Sequence, residues 1–177
     1  MSSRLIIASP QLDDPNFARS VILVCQHDES GAFGLIINRD GPVSIGAVTE
    51  RMDLGEPAEP DSVTWWGGPV GPGTGFVIWR GETDDQEGWN LRGDIAVSPS
   101  AERLKSLVKT QVPFFLCLGY AGWGAGQLDH EIETGSWLYA DVDPAIIFDV
   151  PLDERYDRAL LLLGLTPHTV SMTPIEA

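Results

Sequence analysis

Lysine is nearly missing from this chain, with only Lys105 and Lys109 among 177 residues. Together with the arginines they make 11 cations against 26 Asp and Glu, a net charge of −15. Counterion release, the main driver of nucleic-acid binding, needs clustered cations, and no basic block exists here. A field of this sign also repels phosphate backbones and anionic membranes. Direct nucleic-acid binding and membrane binding are therefore not expected. Long apolar runs are also lacking: none approaches the ~18 residues of a spanning helix. The opening MSSRLIIASPQL has only Leu5–Ala8 as an apolar stretch, too short for an export signal, so the expected location is the cytoplasm. The two cysteines, Cys25 and Cys117, sit inside the apolar runs VILVCQ and FFLCLG. They read as buried, reduced thiols with no cationic neighbour in sequence to activate them. The three histidines, His27, His130 and His168, share no spacing that groups them. His130-Glu131 is half of a zinc motif, but position 134 is Thr where a second imidazole would stand. No metal and no cofactor is expected.

What is present is a globular composition, 43% hydrophobic, in a length that suits one domain spanning residues 1–177. Apolar, β-branched runs predict strands at Arg4–Ala8, Arg19–His27, Ala32–Asn38, Val63–Trp66, Gly75–Arg80, Leu91–Val97, Pro113–Gly119 and Trp137–Asp141. Residues 146–150 read as a further strand, and Gly71–Gly75 as a turn. Ser44 is placed to cap a short helix over Ile45–Met52. Ser98-Pro99 reads as the start of a helix running to Lys109. A helix near Gly126–Thr134 is stopped by Gly135, and a last one after Leu152 is stopped by Gly164. Strands lead and helices interrupt late, which is an α+β pattern with three to four helices.

The Asp28–Gly31 turn makes Arg19–Asn38 a hairpin. Its register places Val21 opposite Asn38 and gathers Arg19, Ser20, Asn38 and Arg39 at one end, beside the Asp13–Asn16 loop. His27 lies at the other end, roughly 26 Å from Arg19 along eight residues of strand. One site cannot hold both unless the strand bends sharply, so Ser20 with His27 is a poor nucleophile–base pair. The Arg19/Asn38 end reads either as a loop-anchoring network or as a ligand contact. His27 reads as a solvated turn histidine or as a pH- or ligand-responsive group. Gly67-Gly68-Pro69 is a tight strand exit or a backbone wall open to a ligand. The Gly119–Gly126 stretch, GYAGWGAG, reads as a turn before a helix. It lacks the Lys-Ser/Thr of a phosphate loop, and it offers Trp123 and Gln127 to a small ligand or partner. Trp89 and Trp123 read as loop residues, the kind that anchor interfaces. No catalytic residue is assigned.

Taken together, LIIASPQLDDPNFARSVILVCQHDESGAFGLIIN, GGPV at 67–70, GYAGWGAGQLDHEI at 119–132, WLYAD at 137–141 and the closing LDERYDRALLLLGL resemble the AlgH/YqgE family of bacterial proteins. The resemblance covers nearly the whole chain. It implies a compact α+β domain whose mostly antiparallel strands curve into a barrel-like or bifurcated sheet. It implies little about activity, because the family is largely uncharacterised and often labelled as transcriptional regulators. The chain departs from the family pattern at Gln26, where Glu usually precedes the His, and at Asp129, where Glu usually follows Gln-Leu. After Asn38 it reads Arg-Asp-Gly-Pro, which delays the customary Pro. The expectation is a non-catalytic interaction or regulatory protein with a protein partner, any effect on transcription being indirect. The alternative is a small-molecule binder or enzyme using the Arg19/Asn38 end or the Gly122–Gln127 turn. A direct DNA-binding regulator is disfavoured by the charge.

Overall fold

The computed structural model describes residues 4–165, and among them ten strands and five α-helices form an α+β domain. In chain order these are β1 (Arg4–Ala8), β2 (Val21–Asp28), β3 (Gly31–Ile36), β4 (Asp40–Ser44), α1 (Ile45–Arg51), β5 (Val63–Trp66) and β6 (Val70–Arg80). There follow β7 (Trp89–Leu91), β8 (Ile95–Ser98), α2 (Ala101–Lys109), β9 (Phe115–Trp123), α3 (Gln127–Glu133), β10 (Trp137–Asp141), α4 (Pro144–Phe148) and α5 (Arg155–Leu161). His168 lies outside the described residues. No helix among the described residues is long and apolar enough to cross a membrane.

The strands lie in the order β10-β1-β2-β3-β9-β6-β8-β7, each antiparallel to its neighbour. β5 joins as a branch, antiparallel to β4 and parallel to β9. Cys117 of β9 pairs with Trp65 of β5 and with Phe76 of β6, so β5 takes the edge of β9 opposite β6. β3 takes that same edge further along, at Ala121–Trp123. The sheet therefore forks at Gly67, whose N–H donates to Leu118 O (2.7 Å) and whose carbonyl accepts from Ile36 N (2.9 Å). A Cβ on Gly67 would strike Gly119 O and Cys117 Sγ, and one on Gly68 would strike the Tyr120 carbonyl. Both glycines are buried. They make the close backbone crossing that lets two strands share one edge.

One core lies between β1, β2, β3, β9 and helices α4 and α5. The other lies beneath α1 and α2, where Leu104, Leu107 and Val108 meet Val77, Trp79 and Leu116. The first core contains a buried cation. Arg155, 2% exposed, donates to the carbonyls of Val150 (2.8 Å), Ile147 (2.6 Å) and Ile37. Its guanidinium lies 4.5 Å from the Trp65 ring centre, and none of the ion pairs among the described residues includes it. Burial pulls its pKa down to about 10, so at neutral pH the charge persists, neutralised by carbonyl dipoles and a ring face.

Several predicted elements change. The hairpin register holds at His27–Ala32, but a bulge at Cys25 shifts it by one residue beyond, to Ile22–Ile36. Leu91–Val97 is not one strand: Gly93 and Asp94 take positive φ (88° and 59°) and fold it into the β7–β8 hairpin. Gly71–Gly75 lies inside β6 as an irregular stretch. The region 146–150 is not a strand. Asp143 Oδ1 accepts from Ala145 N and Pro144 occupies the first turn, so Ile146 and Ile147 are buried on a short helix. Helix α2 starts one residue pair later than Ser98-Pro99, with Ser100 as its cap. Ser98 instead donates to Asp85 (2.7 Å). The glycine-rich stretch is mostly strand, because β9 runs on to Trp123. Trp89 and Trp123 are accordingly strand residues.

Candidate functional site

The two ends of β2 carry two different constellations. At the first end Asn38 continues the β2–β3 ladder with its side chain. Its Oδ1 accepts from Val21 N (2.9 Å) and its Nδ2 donates to Arg19 O (2.9 Å). Arg19 sits in the left-handed region at φ 58°, its guanidinium 4.5 Å from the Tyr156 ring centre and 3.7 Å from Asp157. Arg39 donates to the carbonyls of Asn16 and Ala18, holding the 10–18 loop against the sheet. Burial lowers the Arg39 pKa. Ser20 is fully buried and donates to Phe17 O (2.7 Å). Every one of these groups is already committed to the backbone, a ring or an ion pair.

The second end gathers residues from β2, β3, β7, β9 and α3. In the register His27, Ala32 and Trp123 lie side by side on three strands, while Gln26, Phe33 and Gly122 form the next row, facing the opposite side of the sheet. On the first side His27 Nε2 meets Asp129 Oδ1 at 3.0 Å. Helix α3 also brings in Glu131, whose carboxylate accepts from Trp123 Nε1 (3.1 Å), Trp137 Nε1 (2.9 Å) and Gln127 Nε2 (3.0 Å). Gln127 Oε1 accepts from Gly124 N (3.0 Å). Trp123, Trp137 and Phe17 pack ring against ring at 5.8 to 6.5 Å. Glu131 thus fixes two indoles and the start of α3, a role its sequence reading as half of a zinc motif did not suggest. The one available signal was its i, i+4 spacing from Gln127.

On the opposite side Phe33 stacks on Trp89 at 5.0 Å and 13°, with Tyr120 at 5.1 Å and Phe76 at 5.2 Å. Phe33, Trp89 and Tyr120 are half-buried. With Gln26, Asp28 and Ser30 the rings of Phe33 and Trp89 line an open cavity of about 270 Å³. Trp89 Nε1 reaches Gln26 Oε1 at 3.4 Å, and Gln26 Nε2 reaches Asp28 at 3.2 Å. Asp28 also accepts from Ser30 Oγ (2.6 Å) and Ser30 N (2.9 Å). Hydrogen bonds from Ser30 and then Gln26 hold its carboxyl below the ordinary value. Of the residues singled out from sequence, His27, Trp123 and Gln127 come together here. Arg19 and Asn38 come together at the far end, and Gly67 and Gly68 sit at the fork, walled by β9. Phe33, Tyr120 and Asp28 were not singled out.

The chain is similar to known proteins over nearly all its length. A family model described as AlgH-like matches residues 5–168. A UPF0301 protein of Chromobacterium violaceum is 38% identical over 177 residues, covering 97% of this chain and 94% of that one. The UPF0301 protein Bpet0561 of Bordetella petrii is 41% identical over 174 residues, covering 96% and 86%. The solution structure of the AlgH protein from Pseudomonas aeruginosa superposes with a TM-score of 0.77 at 35% identity, covering 99% of this chain and 95% of that one. A crystal structure from Corynebacterium diphtheriae shares the fold, with a TM-score of 0.68 at 24% identity and coverage of 89% and 85%. Fold, sequence identity and extent agree, and the chain belongs to the AlgH-like family.

Proposed function

We propose that this chain is a protein-interaction module whose contact surface is the aromatic end of the sheet. The observation that carries this reading is the contrast between polar and apolar groups there. His27, Gln127 and Glu131 spend their hydrogen bonds holding neighbouring side chains and turns, while Asp28, held by Ser30 and Gln26, keeps an exposed carboxylate on the cavity rim. The half-buried rings of Phe33 and Trp89 line a shallow cavity, and half-buried Tyr120 packs against Phe33. Preorganised aromatic side chains with fixed neighbours are the groups that dominate binding energy at protein interfaces. Any effect on transcription then runs through the bound protein, since the charge of −15 opposes contact with DNA.

The immobilised full-length chain should retain a stoichiometric partner from a lysate of its bacterial host. Trp89→Ala and Asp28→Asn should lose that partner, while Arg19→Ala, at the far end, should keep it. Retention of no stoichiometric protein by the unaltered chain overturns the proposal, as does equal retention by all variants.

A further inference from the structure

Six arginines lie over aromatic rings of this fold: Arg4 on Tyr139, Arg19 on Tyr156, Arg39 on Trp66, Arg80 on Phe148, Arg103 on Trp79 and Arg155 on Trp65. Their separations from the ring centres run from 4.5 to 5.6 Å. Three of these arginines also meet an aspartate: Arg19 with Asp157, Arg80 with Asp149, and Arg103 with Asp84 and Asp85. A guanidinium on a ring with a carboxylate beside it is thus a contact this molecule makes repeatedly. The aromatic end presents the same two acceptors. The near-parallel Phe33–Trp89 pair offers a ring face, and Asp28 stands on the rim of the same cavity. Asp28 Oδ1 takes both Ser30 bonds and Oδ2 meets the Gln26 amide, with the Gly31 N–H also donating to the carboxylate, which stays exposed on its outer side.

The elements that supply Phe33, Tyr120 and Asp28 carry one sign of charge, while β7, which supplies Trp89, is followed by Arg92. There is no Lys or Arg between Ser20 and Asn38, nor between Lys109 and Arg155. These two stretches supply β2, β3, β9, α3 and β10. They contribute Asp28 on the cavity rim with Glu29 next to it, and Asp129, Glu131 and Glu133 on α3, which packs on the other side of the sheet.

We infer that the Phe33–Trp89–Asp28 surface accepts an arginine side chain from a basic segment of a partner protein. The inference rests on the interaction reading above and names the chemistry of its partner. Arginine fits better than lysine because its guanidinium is planar and weakly hydrated, so it stacks on a ring while its edge reaches a carboxylate. The acidic rim repels a phosphate-bearing partner.

The test is calorimetric titration of the full-length chain with a capped peptide of four arginines separated by glycines. Matched peptides carry lysine or uncharged citrulline in place of arginine. The arginine peptide should bind about tenfold tighter than the citrulline peptide, and Trp89→Ala and Asp28→Asn should each weaken it about fivefold. Glu50→Gln, which removes the same charge from the exposed face of α1, should change binding by less than about twofold. Asp28 is exposed, so its variant tests the surface even if Trp89→Ala fails to fold. Equal weakening by Asp28→Asn and Glu50→Gln would mean attraction to net charge alone, and would overturn the inference. Lysine binding as tightly as arginine would overturn it too, as would stronger binding of a single-stranded DNA oligomer. Loss of the lysate partner on Asp28→Asn without any arginine preference would sink the arginine assignment and leave the interaction surface standing. No variant effect in either assay would sink both.

Discussion

Asp85 and Glu131 are two carboxylates that work inside the molecule, and each illustrates how a residue's role depends on its donors. Asp85 accepts from Arg103 Nε and Nη2, both at 3.0 Å, and from Ser98 Oγ at 2.7 Å. The Arg103 bonds lead, with help from Ser98 and Thr83, in holding its pKa down to about 2 against an ordinary 3.8. The folded value lies below the unfolded one, so the stabilisation is present above about pH 4 and is lost as pH falls through 2. Its size, discounted for partial exposure, is about 1 kcal/mol. Asp85→Asn should lower the urea midpoint at pH 6 and reduce the further loss between pH 4 and pH 2. An unchanged acid limb in the variant would contradict this assignment. Neither carboxylate was visible as a structural anchor from sequence, because Arg103, Trp123 and Trp137 lie on other elements. The capping hydroxyl of Ser44, by contrast, was legible, since it acts on the backbone three residues on (Ala47 N, 3.1 Å).

Strand β9 sets the limit of what the elements reveal from sequence. PFFLCLG reads as strand because it is apolar, while GYAGWGAG reads as turn because it is glycine-rich. The structure keeps the chain extended to Trp123. Gly119, at φ 79°, would clash with Gly68 O if it bore a Cβ, so that glycine serves an approach of two backbones. Long-range crossings of this kind leave no local periodicity. α4 was missed for another reason: the β-branched pair Ile146-Ile147 outweighed the Asp143-Pro144 start signal. The strands β1, β5 and β10 and the β2–β3 turn were legible because their apolar runs are short and bounded. The fork itself gives a sharp prediction. Gly67→Ala and Gly68→Ala should each lower stability by about 3 kcal/mol or more, since backbone and a buried thiol must move. Gly73→Ala, whose added methyl group would meet open space, should cost under about 0.5 kcal/mol. Thermal or urea unfolding of the three variants checks this, and equal losses would refute the close crossing.

At the scale of the whole molecule, charge and aromatic surface are arranged together. Six of the eleven cations lie over rings of the fold itself, three of them beside aspartates as well, and the β2–β3 and β9–α3 regions carry no Lys or Arg. The α+β class and the curved, forked sheet were expected from the residues and the resemblance, and the family match agrees. The position of the contact surface was only partly legible: Trp89 drew notice as a tryptophan, but Phe33 and Tyr120 join it only once β3 and β9 pair. The six tryptophans are natural reporters spread over both cores and both sides of the sheet. The measurement that tests the central claim most directly is therefore a set of indole N–H spectra of nitrogen-15-labelled protein during titration with the arginine peptide. The account predicts that the Trp89 signal moves first and furthest, while Trp65 and Trp79, buried in the two cores, stay in place. A titration that moves all six alike, or leaves Trp89 still while others shift, would contradict it.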